Sequence, residues 1–179
     1  MGYNSIMFNR MKNRLIARAV SRWPALAARV AGAWQPTAPR DAHVVPWTPV
    51  TKPLSECTVA IVTTGGVHHR EHEPFDMNDQ MGDPTFRVLD ARRPNETLMI
   101  THDYYDHADA ERDINIVYPI DRLRELAAEG HVGRVSDVNV GLMGHIDGPH
   151  VDTLVTATAP AVAALLREAG ADVVLLVPG

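Results

Sequence analysis

Pro160-Ala161-Val162-Ala163-Ala164-Leu165-Leu166-Arg167-Glu168-Ala169-Gly170, followed by Ala171-Asp172 and then Val173-Val174-Leu175-Leu176-Val177-Pro178-Gly179, decides the fold. The first part reads as a helix. The apolar run after Asp172 has no polar alternation, which predicts a fully buried strand of a parallel sheet. Ligands and reacting groups in such sheets collect just beyond the carboxyl ends of the strands. Pro178-Gly179 is therefore expected to begin a functional turn.

The rest of the body repeats the alternation. Thr58-Val59-Ala60-Ile61-Val62-Thr63 reads as a strand running into Thr64-Gly65-Gly66-Val67-His68-His69. Phe86 to Leu89, Thr97 to Thr101 and Val138 to Met143 read as further strands, and Gly144 to Pro149 as a loop. Pro119 to Glu129 reads as a helix with Ile120, Leu123, Leu126 and Ala127 on one face, closed by Gly130. Strands alternating with helices imply an α/β domain with a parallel sheet of the Rossmann or flavodoxin kind. That sheet is expected to be incomplete at its C-terminal side, and a helical arm precedes it.

The arm is set apart by charge. Seven of the 17 Lys and Arg residues, and none of the 22 acidic ones, lie within residues 1–40, so the arm carries +7 and the remainder −12. Ile6, Leu15, Ile16, Ala19, Val20, Trp23, Leu26, Ala27, Val30 and Trp34 recur mostly at spacings of three and four, a helical stripe. Pro24 reads as the first turn of a second helix. Basic residues interrupt every apolar run of membrane-spanning length. Two readings of the arm stay open: attachment to a membrane surface or use as a targeting peptide, and a helical hairpin packed on the body or on a partner chain. Five prolines between Gln35 and Pro53 mark an extended connection. The chain thus divides into an arm (1–40), a linker (41–56) and an α/β domain (57–179). No nucleic-acid partner is expected. A single cysteine, Cys57, excludes a disulfide within one copy; it reads as a buried structural residue in a reducing, cytoplasmic setting.

Two segments carry candidate chemistry. Thr64, Gly65 and Gly66 place backbone amides and hydroxyls at the carboxyl edge of the sheet, where they are candidates to hold a carboxylate or phosphate, with His68 beside them. The segment lacks the dinucleotide glycine spacing and the phosphate-loop lysine. Thr101 to Asp113 is the densest polar segment, with His102, Asp103, Asp106 and His107 inside it. Its frame compares with the H-x-H-x-D-H of metallo-β-lactamase-type hydrolases, but Tyr104 stands where the middle histidine would be. A metal-dependent hydrolase using His102, Asp106 and His107 is one alternative, a non-catalytic binding or regulatory module another. A solvated loop whose carboxylates cap helices and pair with Arg112 is the plain structural reading.

Several separated stretches are similar to one family. They are Trp47 to Leu54, Val59 to His68, Gly82-Asp83-Pro84-Thr85-Phe86-Arg87, His102-Asp103-Tyr104-Tyr105-Asp106-His107, Asp113-Ile114-Asn115 and Pro119 to Leu126. From Trp47 to Gly179 the chain resembles the selenoprotein B type subunits of glycine, sarcosine, betaine and D-proline reductases. The resemblance implies reductive cleavage of a C–N bond in an amino acid or N-methylated amino acid, with electrons from dithiols through a thioredoxin-like donor. It also implies a companion subunit with a pyruvoyl group. In shorter family members the segment like Val173 to Gly179 is followed at once by a motif with selenocysteine and cysteine, so the redox residue is expected after Gly179, at a UGA codon. Within the chain, the resemblance and the loop positions make His68 and Thr64-Gly65-Gly66 candidates for substrate-side contacts. They make His102, Asp103 and Asp106 candidates for proton transfer to the leaving amine.

Overall fold

The computed structural model describes residues 3–23, 25, 27–29 and 48–179. Of the helix expected to open at Pro24, residues 25 and 27–29 are described and are helical, while Pro24 itself, the rest of that helix and linker residues 41–47 lie outside the described residues. Thr58–Thr63 forms β1, buried along its whole length. Its side chains divide between two faces with the period of a strand. Val59 and Ile61 join one core with Leu89, Val117, Ile120 and Leu123, while Ala60 and Val62 join a second with Val140, Val162 and Leu166. Full burial of a Val or Ile side chain contributes roughly 1.5–3 kcal/mol. β1 is therefore the central strand, held from both sides.

Along one edge of β1 run β5 (Arg134–Val135) and β6 (Val138–Gly141), both parallel to it. Along the other edge runs β7 (Val173–Val177), also parallel, in register from Val59 opposite Val173 to Thr63 opposite Val177. β3 (Arg87–Asp90) extends the sheet beyond β6, but antiparallel. β4 (Leu98–Ile100) leaves this sheet and pairs antiparallel with β2 (Val67–His69). The α/β architecture is as the sequence predicts, with a mostly parallel sheet. The departures at β3 and β4 arise because apolar composition identifies a strand without fixing its direction or neighbour.

A side chain bridges the step between β5 and β6. Ser136 donates its amide to Val59 O at 2.8 Å, and the next site on β1, the Ile61 amide, donates instead to Asn139 Oδ1 at 2.6 Å. Asn139 Nδ2 in turn donates to Ser136 O. Asn139 is wholly buried, so its amide stands in for the missing backbone partner of Ile61.

α2 (Ile120–Ala128) buries Ile120 and Leu123, one turn apart, against the first core, and Gly130 ends it with φ +79°. The His131 amide reaches back to Leu126 O, closing the helix in the manner glycine permits. The final helix begins earlier than its sequence suggests: α3 (Pro149–Thr153), a π turn (Leu154–Thr158) and α4 (Ala159–Glu168) follow one another directly. Pro160 accounts for the π turn, since it lacks a donor and its ring would clash with the carbonyl of Thr156 in a regular helix.

β7 corrects one expectation. It is parallel to β1, but it is an edge strand among the described residues, and Leu175 and Leu176 are 41% and 73% exposed. An apolar run predicts cover on both faces only where further elements lie over it. The N-terminal α1 (Tyr3–Arg22) packs its Ala17 face on the body, and no described helix is long and apolar enough to cross a membrane.

Candidate active site at the carboxyl edge of the sheet

The turn after β1 is built from the inside. The Thr64 amide donates to Val177 O, the Gly65 amide to Thr63 Oγ1 and the Gly66 amide to Leu142 O, at 2.9–3.1 Å. All three amides are therefore consumed by the fold, and the backbone cradle expected of Thr64-Gly65-Gly66 does not form. The glycines serve close approach instead. A Cβ on Gly65 would lie 2.9 Å from Val117 Cβ, and one on Gly66, at φ +72°, would lie 2.5 Å from Thr101 O. What the turn offers outward is the Thr64 hydroxyl, which accepts the Gly179 amide at 3.1 Å.

His102 lies under this edge, almost wholly buried. A Cβ placed on exposed Gly144, in the loop after β6, would be within 3.6 Å of both Thr64 and His102 Nε2. Thr64, Gly144, His102 and Gly179 thus converge from β1, β6, β7 and the loop after β4. Burial, with Coulombic repulsion from His107 and His145 added, pushes the His102 pKa down to about 4. Its hydrogen-bond geometry agrees. Nδ1 lies 3.2 Å from the Tyr104 amide and Nε2 3.3 Å from the Gly144 amide, so both ring nitrogens face donors. A neutral ring can accept only one of them, and an imidazolium neither. His102 is therefore neutral at pH 7, and its burial and the two facing amides both disfavour the protonated ring.

Tyr105 fixes the loop to the turn: its hydroxyl donates to Gly65 O at 2.9 Å, and its ring meets the His102 ring edge-on at 4.7 Å. Tyr104 stacks on His145 at 3.9 Å between centroids. Asp103 faces away from the candidate site. Arg10 and Arg14 of α1 donate to its two oxygens at 2.6 and 2.7 Å, and its side chain is 1% exposed. Burial alone would raise its pKa, but the two arginine hydrogen bonds outweigh this and hold the carboxyl below the usual range. Asp103 is thus held ionised as the anchor of α1. Asp106 is exposed, its Oδ1 accepting the Ala108 amide at 3.3 Å.

His68 and His69 are not at a ligand-facing turn. They lie in β2 with no more than 2% exposure; His68 pairs with Thr101 Oγ1 and His69 O, and His69 with Thr97 Oγ1 and the Asp90 amide. Burial lowers the pKa of both. His107 Nδ1 is 3.0 Å from Glu111 Oε1 but out of hydrogen-bond alignment. His102, Asp106 and His107 do not converge: among the described residues no three His, Cys, Asp or Glu side chains could hold one metal ion. Arg112 pairs with Asp109, as the plain reading of this loop has it. Cys57 is wholly buried, its thiol 3.3 Å from Pro53 O.

Two parts of this site escape the sequence reading. Gly144 looks like any loop glycine, with no signal to join it to His102 across 42 residues. Arg10 and Arg14 do carry a signal, since arginines four apart share one helix face. Nothing in the sequence names their partner.

The chain is 40% identical over 133 residues to the D-proline reductase subunit gamma of Acetoanaerobium sticklandii, covering 74% of this chain and 53% of that one. It is 30% identical over 134 residues to the glycine reductase complex component B subunit gamma of Carboxydothermus hydrogenoformans, with 74% and 30% covered. To the sarcosine reductase complex component B subunit beta of Peptoclostridium acidaminophilum it is 32% identical over 103 residues, with 56% and 23% covered. It thus spans about half the length of the first of these relatives and less of the others. No solved structure matches it significantly. The family model for glycine/sarcosine/betaine reductase selenoprotein B matches residues 35–178, four fifths of the chain, and the chain belongs to that family.

Proposed function

We propose that this chain is the N-terminal part of the redox subunit of a dithiol-dependent reductase that cleaves a C–N bond in an amino acid or N-methylated amino acid. The observation that carries the proposal is the meeting of Gly179 with Thr64 beside His102, at the sheet edge where the reactive residue of this family would follow. Cleavage of one C–N bond takes up two electrons and two protons, one hydrogen ending on carbon and one on nitrogen, while a dithiol becomes a disulfide. A selenocysteine or cysteine after Gly179 would supply the nucleophile, its anion present at neutral pH in the selenol case. His102 is the candidate nearest to such a group for proton transfer, and Thr64 holds the chain end that would carry it. Further partners follow from the reading: a pyruvoyl-bearing subunit, a thioredoxin-like donor and a cytoplasmic setting.

D-Proline is the first substrate to assay, given the 40% identity to a D-proline reductase subunit. The test begins with the DNA after codon 179. An in-frame TGA followed by a cysteine or histidine motif is expected, and the extended protein, with its pyruvoyl-bearing partner, should reduce substrate at the expense of dithiothreitol. Changing the restored residue to Ala should abolish this. Absence of any in-frame continuation overturns the proposal.

A further inference from the structure

The outward side of α1 has no role in holding the helix to the body. Its inward side does that work, with Ala17 packed and Arg10 and Arg14 bound to Asp103. On the opposite side Phe8, Met11 and Leu15 follow at spacings of three and four and are 62%, 56% and 59% exposed. Trp23, 60% exposed, lies just past the end of the helix. Lys12 and Arg22 are exposed along the same outward side, Arg18 is exposed at its border where it lines a cavity with Asp106 and Glu111, and none of the three makes an ion pair with any described residue. Large apolar side chains left in water over a whole helix face mark an interaction surface.

Charge decides between occupants. Residues 1–40 contain no carboxylate, and cations flank the apolar stripe on both sides. On this evidence we propose that the outward face of α1 docks on an anionic lipid surface. Phe8, Met11 and Leu15 would enter the boundary between headgroups and acyl chains, with Lys12, Arg18 and Arg22 at the level of the phosphates and Trp23 at the interface. The −12 carried by the remainder of the chain does not prevent this. That charge lies behind the helix, whose diameter of about 10 Å exceeds the Debye length of about 8 Å at physiological ionic strength. The helix lies in the plane of the membrane and does not cross it.

The test is sedimentation of the full 179-residue chain with vesicles of phosphatidylcholine alone and of phosphatidylcholine with phosphatidylglycerol. Binding to the second and not the first is expected, weakening as salt is raised. Replacing both Lys12 and Arg22 by Gln should lower the partition on the order of tenfold or more. Leu15→Glu should abolish it; because the side chain is exposed the variant should fold, and Met11→Glu provides a second readout with circular dichroism as the control. Equal binding to both vesicle types, or binding to neither, overturns the proposal. So does concentration-dependent self-association that Leu15→Glu removes without vesicle binding, which would assign the face to a second copy of the chain.

Discussion

The amide of Gly179 donates to Thr64 Oγ1 across 3.1 Å, tying the end of β7 to the end of β1. The Thr64 amide meanwhile donates to Val177 O, so the two strand ends are fastened in both directions. Thr64→Val keeps the shape and removes the acceptor. In a catalytically competent extended protein the loss of about 1 kcal/mol should lower the dithiol-dependent kcat about fivefold, with the fold unchanged by circular dichroism. An unchanged kcat would remove Thr64 from the site.

Gly66→Ala should cost about 2–3 kcal/mol in urea denaturation, because the new Cβ meets the Thr101 carbonyl at 2.5 Å in a left-handed backbone conformation. Gly130→Ala is the control. At φ +79° it has the same backbone strain but nothing within 4 Å of the new Cβ, so about 1 kcal/mol is expected. Equal losses would contradict the close approach at Gly66.

Asp103→Asn should loosen α1 without unfolding the body. Two charge-assisted hydrogen bonds are weakened, but the arginines are 38% and 54% exposed and regain water, so the expected loss is about 2 kcal/mol of docking free energy. Faster proteolysis within residues 3–22 reports it. The folded pKa of Asp103 is depressed, so its stabilising contribution is complete above the ordinary carboxylate range of about 4 and is lost as pH falls through the folded value. Acid should therefore release α1 in the parent chain but change little in the Asn variant.

His102 loses stabilisation in the same direction, on acidification, but over a higher pH window. Its folded pKa of about 4 lies below the ordinary 6.5, so on acidification the unfolded chain takes up the proton first. Its contribution is complete above pH 6.5 and declines as pH falls toward 4, by at most about 3 kcal/mol. His68 and His69, also lowered, act in the same direction. Urea midpoints at pH 7 and pH 5 should differ less in His102→Gln than in the parent chain. The same slope in both would mean that His102 is accessible to water and protonated in the folded state.

Leu176→Lys should reduce self-association of the 179-residue chain, read by light scattering. Leu176 is 73% exposed on the edge strand β7, and a charge on such an edge opposes strand-to-strand pairing. Its melting temperature should shift little, since the side chain buries almost nothing. Unchanged scattering would show that the β7 edge is not the associating surface.

The helices and central strands are legible in the sequence because their signal is local. β1 and β7 announce themselves as apolar runs, and α2 by Ile120 and Leu123 with Gly130 behind them. Thr64, Gly65 and Gly66 are legible as a turn at the carboxyl edge, but the destinations of their amides are not. Each of those amides bonds to a residue set by the packing of another element, such as Leu142 or Val177. For the same reason His68 looks as available as His102 in the sequence. Both are buried, yet only His102 lies beside Thr64 and Gly144.

By itself the sequence determined the α/β alternation, the family, the basic arm and the segment in which the site lies, since periodicity, charge and motif are properties of neighbours along the chain. Only the tertiary structure decided that β7 lies at an edge, that Asp103 serves the arm and that His102 lies buried beside Gly144. Those outcomes depend on pairs 40 to 115 residues apart, whose burial and hydrogen bonds exist only once the sheet has brought them together.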